Sequence, residues 1–282
     1  MKKALSLLTI TFLSLALNAQ IEIPQASPSC EFEQKVGLTE VQLEYSRPNM
    51  RGRVIFGDLV PYGQIWRTGA NKNTTISFSD DVTVDGQTLK AGKYAIYTKP
   101  EKDHWEIYFY TDTENWGNPE KWDDKKVAAK TTAKVVNLPF ELETFSISVD
   151  NVQADNAKLN FLWSNVYVET EIQFPTDKKV MASIEKTMKG TPKSNDYYAA
   201  AVYYFNSGKD ISQAKKWIDE AMKMEKEPKF YQLRQQSLIY AKSGDVKGAI
   251  SLAQQSLEAA KKAGNADYVK MNEDSIKEWS KK

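Results

Sequence analysis

Two different patterns of hydrophobic residues divide the chain. From Glu31 to Phe174, apolar and polar residues alternate, as in Val41, Leu43 and Tyr45. A period of two places one face of each strand against a core. No segment with a helical period separates these strands, so the pattern predicts an antiparallel sheet of the sandwich or barrel type rather than alternating strands and helices.

The pattern becomes helical after Pro175, where Thr176 or Asp177 can cap a first helix. Ser207-Gly208 and Ser243-Gly244 then recur at an interval of 36 residues, each before a helix with small residues on one face. Helix–turn–helix content at this period resembles tetratricopeptide repeats. A helical bundle with accidental spacing is the alternative.

The sequence therefore predicts an α+β protein of two domains. An antiparallel β-sandwich-like domain at 20–175 precedes an all-α, tetratricopeptide-like helical repeat domain at 176–282. The boundary coincides with a change of charge: residues 20–175 contain 16 Lys and Arg against 23 Asp and Glu, and residues 176–282 contain 20 against 14. Neither half has the concentrated basic excess of a nucleic-acid-binding domain, so we expect no nucleic-acid partner.

Residues 1–19 have the features of a cleavable export signal. A basic start precedes an apolar run at 4–17, which is too short to span a membrane comfortably, and Ala19 offers a small residue for cleavage before Gln20. The lone cysteine, Cys30, has no lipobox-like context. We therefore expect a periplasmic or secreted protein without a membrane span; a buried N-terminal helix is the alternative.

Few residues suggest catalysis. His104 is the only histidine, and it alternates with apolar residues in a way that directs it to the surface. One histidine and one cysteine exclude a zinc site built from these ligands, and neither a P-loop nor a dinucleotide-binding fingerprint is present. We expect no metal and no cofactor. The loop Trp116–Trp122 forms either a stacking platform for a sugar or peptide or a cap on the open end of the core.

Arginine is confined to one part of the chain, whereas lysine carries positive charge elsewhere. Four of the five arginines lie within 21 residues. A guanidinium pairs with carboxylate or phosphate in a bidentate manner and stacks on aromatic rings. The segment is therefore either a pocket for a polar or anionic ligand or an internal lock in which arginines bond carbonyl and acidic groups. The candidate ligand-binding residues are Arg47, Arg51, Arg53, Tyr62, Trp66, Arg67 and Asn71.

Several motifs in and around this segment resemble a known family. They include Tyr45-Ser-Arg-Pro48, Leu59-Val-Pro-Tyr-Gly63, Trp66-Arg-Thr-Gly-Ala-Asn71 and Ala91-Gly-Lys-Tyr94. Over roughly residues 25–170 the chain resembles domain-of-unknown-function family 2911, whose members are exported bacterial proteins. The resemblance implies a β-rich exported domain, sometimes followed by tetratricopeptide-like helices, and it lends no catalytic residue.

These observations favour a binding or scaffolding protein, because helical repeats usually present a concave surface to a partner. The alternative is a carbohydrate-active hydrolase that uses carboxylates near the arginine segment. An enzyme of this kind requires a pocket in which Arg67, Asn71 and at least two carboxylates converge. The sequence leaves open the ligand, the protein partner and whether any reaction is catalysed.

Overall fold

The computed structural model describes residues 23–281 and shows a large antiparallel sheet followed in the chain by helices. The predicted export signal at 1–19 lies outside the described residues. Two compact units are present, one ending at Pro175 and the other beginning at Thr176. We call them the β unit and the helical unit. This layout confirms the predicted α+β class.

The β unit contains nine described strands in the spatial order β1-β2-β3-β6-β7-β8-β9-β4-β5, each antiparallel to its neighbours. A short 3-10 helix at Asp124–Lys126 precedes β8. The strands are β1 (Ser29–Val36), β2 (Thr39–Ser46), β3 (Thr75–Phe78), β4 (Val82–Val84), β5 (Gln87–Leu89), β6 (Gly92–Pro100), β7 (His104–Tyr110), β8 (Val127–Asp150) and β9 (Asn156–Gln173).

The long strand β8 takes part in two regions of the sheet. Its first part pairs with β7 as far as Lys134, and from Val135 onward it pairs with β9. The register between β8 and β9 shifts between Asn137 and Leu142 and again before Ser146. Because such irregularities bend a strand and increase its twist, β8 can pass from one layer of the unit to the other.

The two layers meet through a contact between β2 and β8. The hydroxyl of Tyr45 donates to the carbonyl of Ile147 and accepts from its amide, both at 3.1 Å. The ring of Tyr45 also packs edge-on against Phe145, with the centroids 6.0 Å apart. The sheet is thus folded over a shared core, and the predicted inward positions Val41 and Leu43 are fully buried there.

A smaller aromatic cluster covers the opposite face of β6 and β7. Tyr97, Tyr108 and Tyr110 form it, and Trp122 stacks on Tyr110 at a centroid distance of 4.7 Å. Trp116, by contrast, is 76% exposed. The two tryptophans of the aromatic loop therefore separate: Trp122 caps this cluster, and only Trp116 is open to solvent.

The helical unit contains six described helices. They are α1 (Thr176–Met188), α2 (Ser194–Asn206), α3 (Ile211–Met224), α4 (Phe230–Lys242), α5 (Val246–Lys262) and α6 (Ala266–Trp279). Among residues 23–281, none of the helices combines the length and apolar character that a bilayer crossing requires.

Similar turns precede α3 and α5. Gly208 and Gly244 adopt positive φ angles of 63° and 89°, a conformation that glycine adopts without steric penalty. The side chain of Asp210 then accepts hydrogen bonds from the first turn of α3, and that of Asp245 accepts from Gly248 in α5. The same local chemistry thus starts two helices 35 residues apart.

Candidate functional site

The arginine segment connects β2 to β3 and is packed rather than extended into solvent. Ile55 and Val60 are buried in the main core. Trp66 joins the edge of β6, because its amide and carbonyl exchange hydrogen bonds with Thr98 at 2.7 and 2.9 Å. These anchors fix the position of the arginines between them.

Three of the arginines line one cavity of about 320 Å³. They are Arg51, Arg53 and Arg67, and the indoles of Trp66 and Trp163 also line it. We call this space the arginine cavity. Its volume lies within the range of small-molecule sites in proteins. The structure therefore brings together four of the seven candidate residues: Arg51, Arg53, Trp66 and Arg67.

Arg67 stands out because its Nε atom is buried and has no hydrogen-bond partner within the described part of the chain. A buried donor without a partner destabilises a fold by about 1–3 kcal/mol. The guanidinium lies against the backbone of Gly117, where an added Cβ would come within 2.8 Å of Nη1. Arg67 thus lies against Gly117 on one side, lines the arginine cavity, and has a buried donor that no group of the described chain uses.

The loop that carries Gly117 is tied to the arginine segment by several bonds. The amide of Asn73 donates to the carbonyl of Asn115 at 3.1 Å, and Asn118 Nδ2 donates to the carbonyl of Ile65 at 2.7 Å. The hydroxyl of Tyr97 donates to the Gly117 carbonyl at 3.3 Å. Burial raises the pKa of Tyr97, which keeps this donor protonated.

Arg51 and Arg53 use part of their hydrogen-bonding capacity on the main chain. Arg51 Nη2 donates to the carbonyl of Ala26 at 2.9 Å, and its backbone amide donates to Glu143 Oε1 at 2.8 Å. Arg53 donates to the carbonyls of Met50 and Asn49 at 2.8 and 2.6 Å. These bonds orient both guanidinium groups and leave other N–H donors of each group without a bond to the described chain.

None of these guanidinium groups pairs with a carboxylate of the described chain. The ion pairs found in the described β unit use lysine, or His104 with Asp103. The carbonyl contacts of the predicted internal lock are therefore present, whereas its acidic contacts are not seen among residues 23–175. The charge of the arginine cavity is not neutralised by direct pairing there.

The other three candidate residues lie elsewhere. Arg47 donates to the carbonyl of Phe145 and to Ser146 Oγ, and so joins two strands. Asn71 Nδ2 donates to the carbonyl of Ser27 at 3.1 Å and to Ser46 Oγ at 3.2 Å. Tyr62 lines a different cavity. Ligand contact by Arg47 and Asn71 stays a prediction, and their observed bonds serve the fold.

A second cavity, of about 510 Å³, adjoins the same segment. Arg53 contributes to both cavities. The polar side chains that line this second cavity include Tyr62, Glu101, Lys102, Asn137, Glu141 and Asn165. We call it the polar cavity. The hydrophobic pattern does not point to Asn137 or Asn165, because these residues lie where the β8–β9 register breaks. Pro139 lies within that break.

The convergence that the hydrolase alternative requires is not seen among the described residues. Glu101 and Glu141 line the polar cavity, Arg67 lines the arginine cavity, and Asn71 lines neither. Among residues 23–281, no group of three or more His, Cys, Asp or Glu side chains has the arrangement of a metal site.

Comparison with known families identifies the β unit. The family model described as a protein of unknown function (DUF2911) matches residues 27–172, just over half of the chain. The matched region contains all seven candidate residues and confirms the resemblance seen in the sequence. No curated protein and no solved structure matches the chain.

Proposed function

Because the chain belongs to the DUF2911 family, whose description names no activity, we propose its function from the geometry of the site: the β unit binds a small anionic ligand in the arginine cavity. The supporting observation is Arg67, which lines that cavity and whose buried Nε has no hydrogen-bond partner in the described chain. A carboxylate or phosphate bound in the cavity would accept hydrogen bonds from the Arg67 guanidinium, and such charge-assisted bonds are among the stronger hydrogen bonds in proteins.

The remaining lining suggests the body of the ligand. Trp66 and Trp163 are nearly parallel, with an interplanar angle of 17° and centroids 5.9 Å apart. Leu59, which is 43% exposed, adds aliphatic surface. An apolar or planar body suits these groups, and the guanidinium groups of the three arginines suit an anionic head. We therefore favour a small aromatic or aliphatic carboxylate over a bare inorganic anion.

Calorimetric titration with benzoate and with inorganic phosphate tests this proposal. We expect saturable binding of benzoate that weakens with added salt, because screening reduces attraction between charges. Arg67→Lys keeps the charge and loses the planar fork, so binding should weaken by about tenfold or more. Arg234→Lys, the same change in the helical unit, is the matched control. Equal affinity in wild type and Arg67→Lys, or no binding of either probe, contradicts the proposal.

We also propose that the helical unit is a tetratricopeptide-like repeat that binds a protein partner. The equivalent turns before α3 and α5 support the repeat. Burial, together with the nearby hydroxyls of Tyr268 and Tyr231, raises the pKa of Tyr198 to about 12. Tyrosines of α2, α4 and α6 therefore lie near one another. Tyrosine is enriched at protein interfaces, and a surface of this kind suits a scaffolding role.

We further propose that the protein is exported to the periplasm or secreted after removal of residues 1–19. The basic start and short apolar run of the sequence support this. Mass spectrometry of the protein from the cell envelope should show an N-terminus at or near Gln20. An intact Met1 on the exported protein would contradict it.

A further inference from the structure

The polar cavity forms where two long strands lose their regular pairing. The register of β8 against β9 shifts between Asn137 and Leu142, and Leu142 then pairs with Ser164. Ser164 has a φ of 53°, a left-handed conformation that is uncommon outside glycine and asparagine. Such backbone geometry and β-bulges are often found at functional sites. The break leaves space for about 510 Å³ at the surface of the sheet.

Six of the polar side chains that line this cavity are not used by the rest of the described chain. No hydrogen bond or ion pair within residues 23–281 involves the side-chain polar groups of Tyr62, Glu101, Lys102, Asn137, Glu141 or Asn165. Glu106, on the neighbouring strand β7, shows the contrast, because it bonds to Lys99, Lys130 and Tyr108. The cavity thus gathers donors and acceptors that no other group of the described chain uses.

The formal charges of the lining cancel. Glu101 and Glu141 contribute two negative charges, and Arg53 and Lys102 contribute two positive charges. No ion pair joins these four residues within the described chain, so none of the charged groups is occupied by another. A neutral ligand is favoured over an anion or a cation, since either kind of ion would meet a like charge in the cavity.

We propose that the polar cavity is a second binding site, for a neutral polyhydroxylated ligand of the carbohydrate class. A sugar hydroxyl both donates and accepts, and the lining offers carboxylate acceptors together with amides that do both. Phe56 and Tyr62, which are partly exposed, offer apolar surface for the C–H face of a sugar ring. The site binds without need of the arginine cavity, although Arg53 contributes to both.

Titration of the full chain with cellobiose, followed by backbone-amide NMR, tests this assignment. We expect saturable shifts at amides that line the polar cavity, including Gly52, Val54 and Val166. The double variant Asn137→Ala, Glu141→Ala removes two exposed cavity side chains and should weaken binding by about tenfold or more. Glu120→Ala with Asn195→Ala, which are exposed and outside the cavity, should bind as wild type does.

The outcomes separate this site from the arginine cavity. Arg67→Met should abolish benzoate binding and leave cellobiose binding unchanged. The absence of saturable shifts with cellobiose, or unaltered binding in the double variant, overturns the assignment. The assignment is also overturned if the protein binds glucuronate, an anionic sugar, but not cellobiose, and if that binding depends on Arg67. If the double variant does not melt as wild type does, Asn165→Ala, at an exposed position, replaces it with the same expected direction.

Discussion

Arg47 Nη2 lies 2.6 Å from Ser146 Oγ, although the two residues are 99 positions apart in the sequence. The same guanidinium donates through Nε to the carbonyl of Phe145 at 3.1 Å, and the backbone amide of Arg47 donates to Pro28. The end of β2 is thereby bonded to β8 and to the segment before β1. Arg47 belongs to the frame of the β unit, whereas Arg67 lines a cavity.

Arg47→Ala should lower the free energy of unfolding. The variant removes two hydrogen bonds from a charged donor, each worth about 1.5–3 kcal/mol at most. Water can bond the acceptors that the variant leaves behind, which reduces the loss of stability. Urea denaturation of the full chain measures the change. Ser146→Ala removes one of the two bonds and should have a smaller effect in the same direction. Wild-type stability in Arg47→Ala would contradict this structural role.

Arg67→Met should leave the free energy of unfolding unchanged or raise it when no ligand is added. Methionine retains an unbranched apolar stem and removes the buried donor that has no partner in the described chain. The same denaturation experiment decides this. A loss as large as that of Arg47→Ala would show that Arg67 also serves the fold and would weaken the case for a ligand at this position.

Gly117→Ala should disturb the arginine cavity through Arg67. The new Cβ would lie 2.8 Å from Nη1, and Gly117 has a φ of 104°, which a side chain disfavours. We expect weaker benzoate binding and a lower melting temperature. Gly86→Ala is the control, since its φ is also positive, at 73°, but no atom lies within 4 Å of the new Cβ. If both variants bind benzoate as wild type does, Gly117 does not position Arg67.

Glu106 should make stability depend on pH in the acid range. Its hydrogen bond to Lys130, with further help from Tyr108 and Lys99, lowers its pKa from 4.5 to about 2. Because the folded pKa is depressed, the contribution is present above pH 4.5 and is lost as pH falls toward 2. Glu106→Gln should reduce stability at neutral pH by about 1–2 kcal/mol and flatten this part of the pH profile. An unchanged slope between wild type and variant would contradict the assignment.

The two units should fold independently. The change in hydrophobic period, the change in charge and the separation of contacts all fall near Pro175. Circular dichroism of fragments 20–175 and 176–282 should show β-rich and helical spectra, each with its own melting transition. If neither fragment folds alone, the units depend on one another for stability.

The sequence predicted those parts of the fold that depend on local chemistry. Alternation identified the buried face of β2, and Ser207-Gly208 and Ser243-Gly244 form equivalent turns before α3 and α5. The arginine segment was recognised by composition alone. The contact that Arg47 makes from the end of β2 to β8, the separation of Trp116 from Trp122 and the polar cavity were not predicted. Each depends on contacts between distant strands or on a register shift, and neither leaves a periodic signal in the sequence.

Arg51 and Arg53 bond backbone carbonyls, and the three arginines of the arginine cavity do not pair with carboxylates of the described chain. This arrangement has a kinetic consequence. Residues 20–175 carry 23 acidic against 16 basic side chains, so the long-range field of this unit is negative on average. Because the guanidinium groups around one cavity do not pair with carboxylates of the described chain, we expect a local region of positive potential there. A diffusing anion is repelled by most of the surface and attracted at one opening, which raises the fraction of encounters that begin there. The association rate constant should therefore respond to ionic strength more strongly than the dissociation rate constant does.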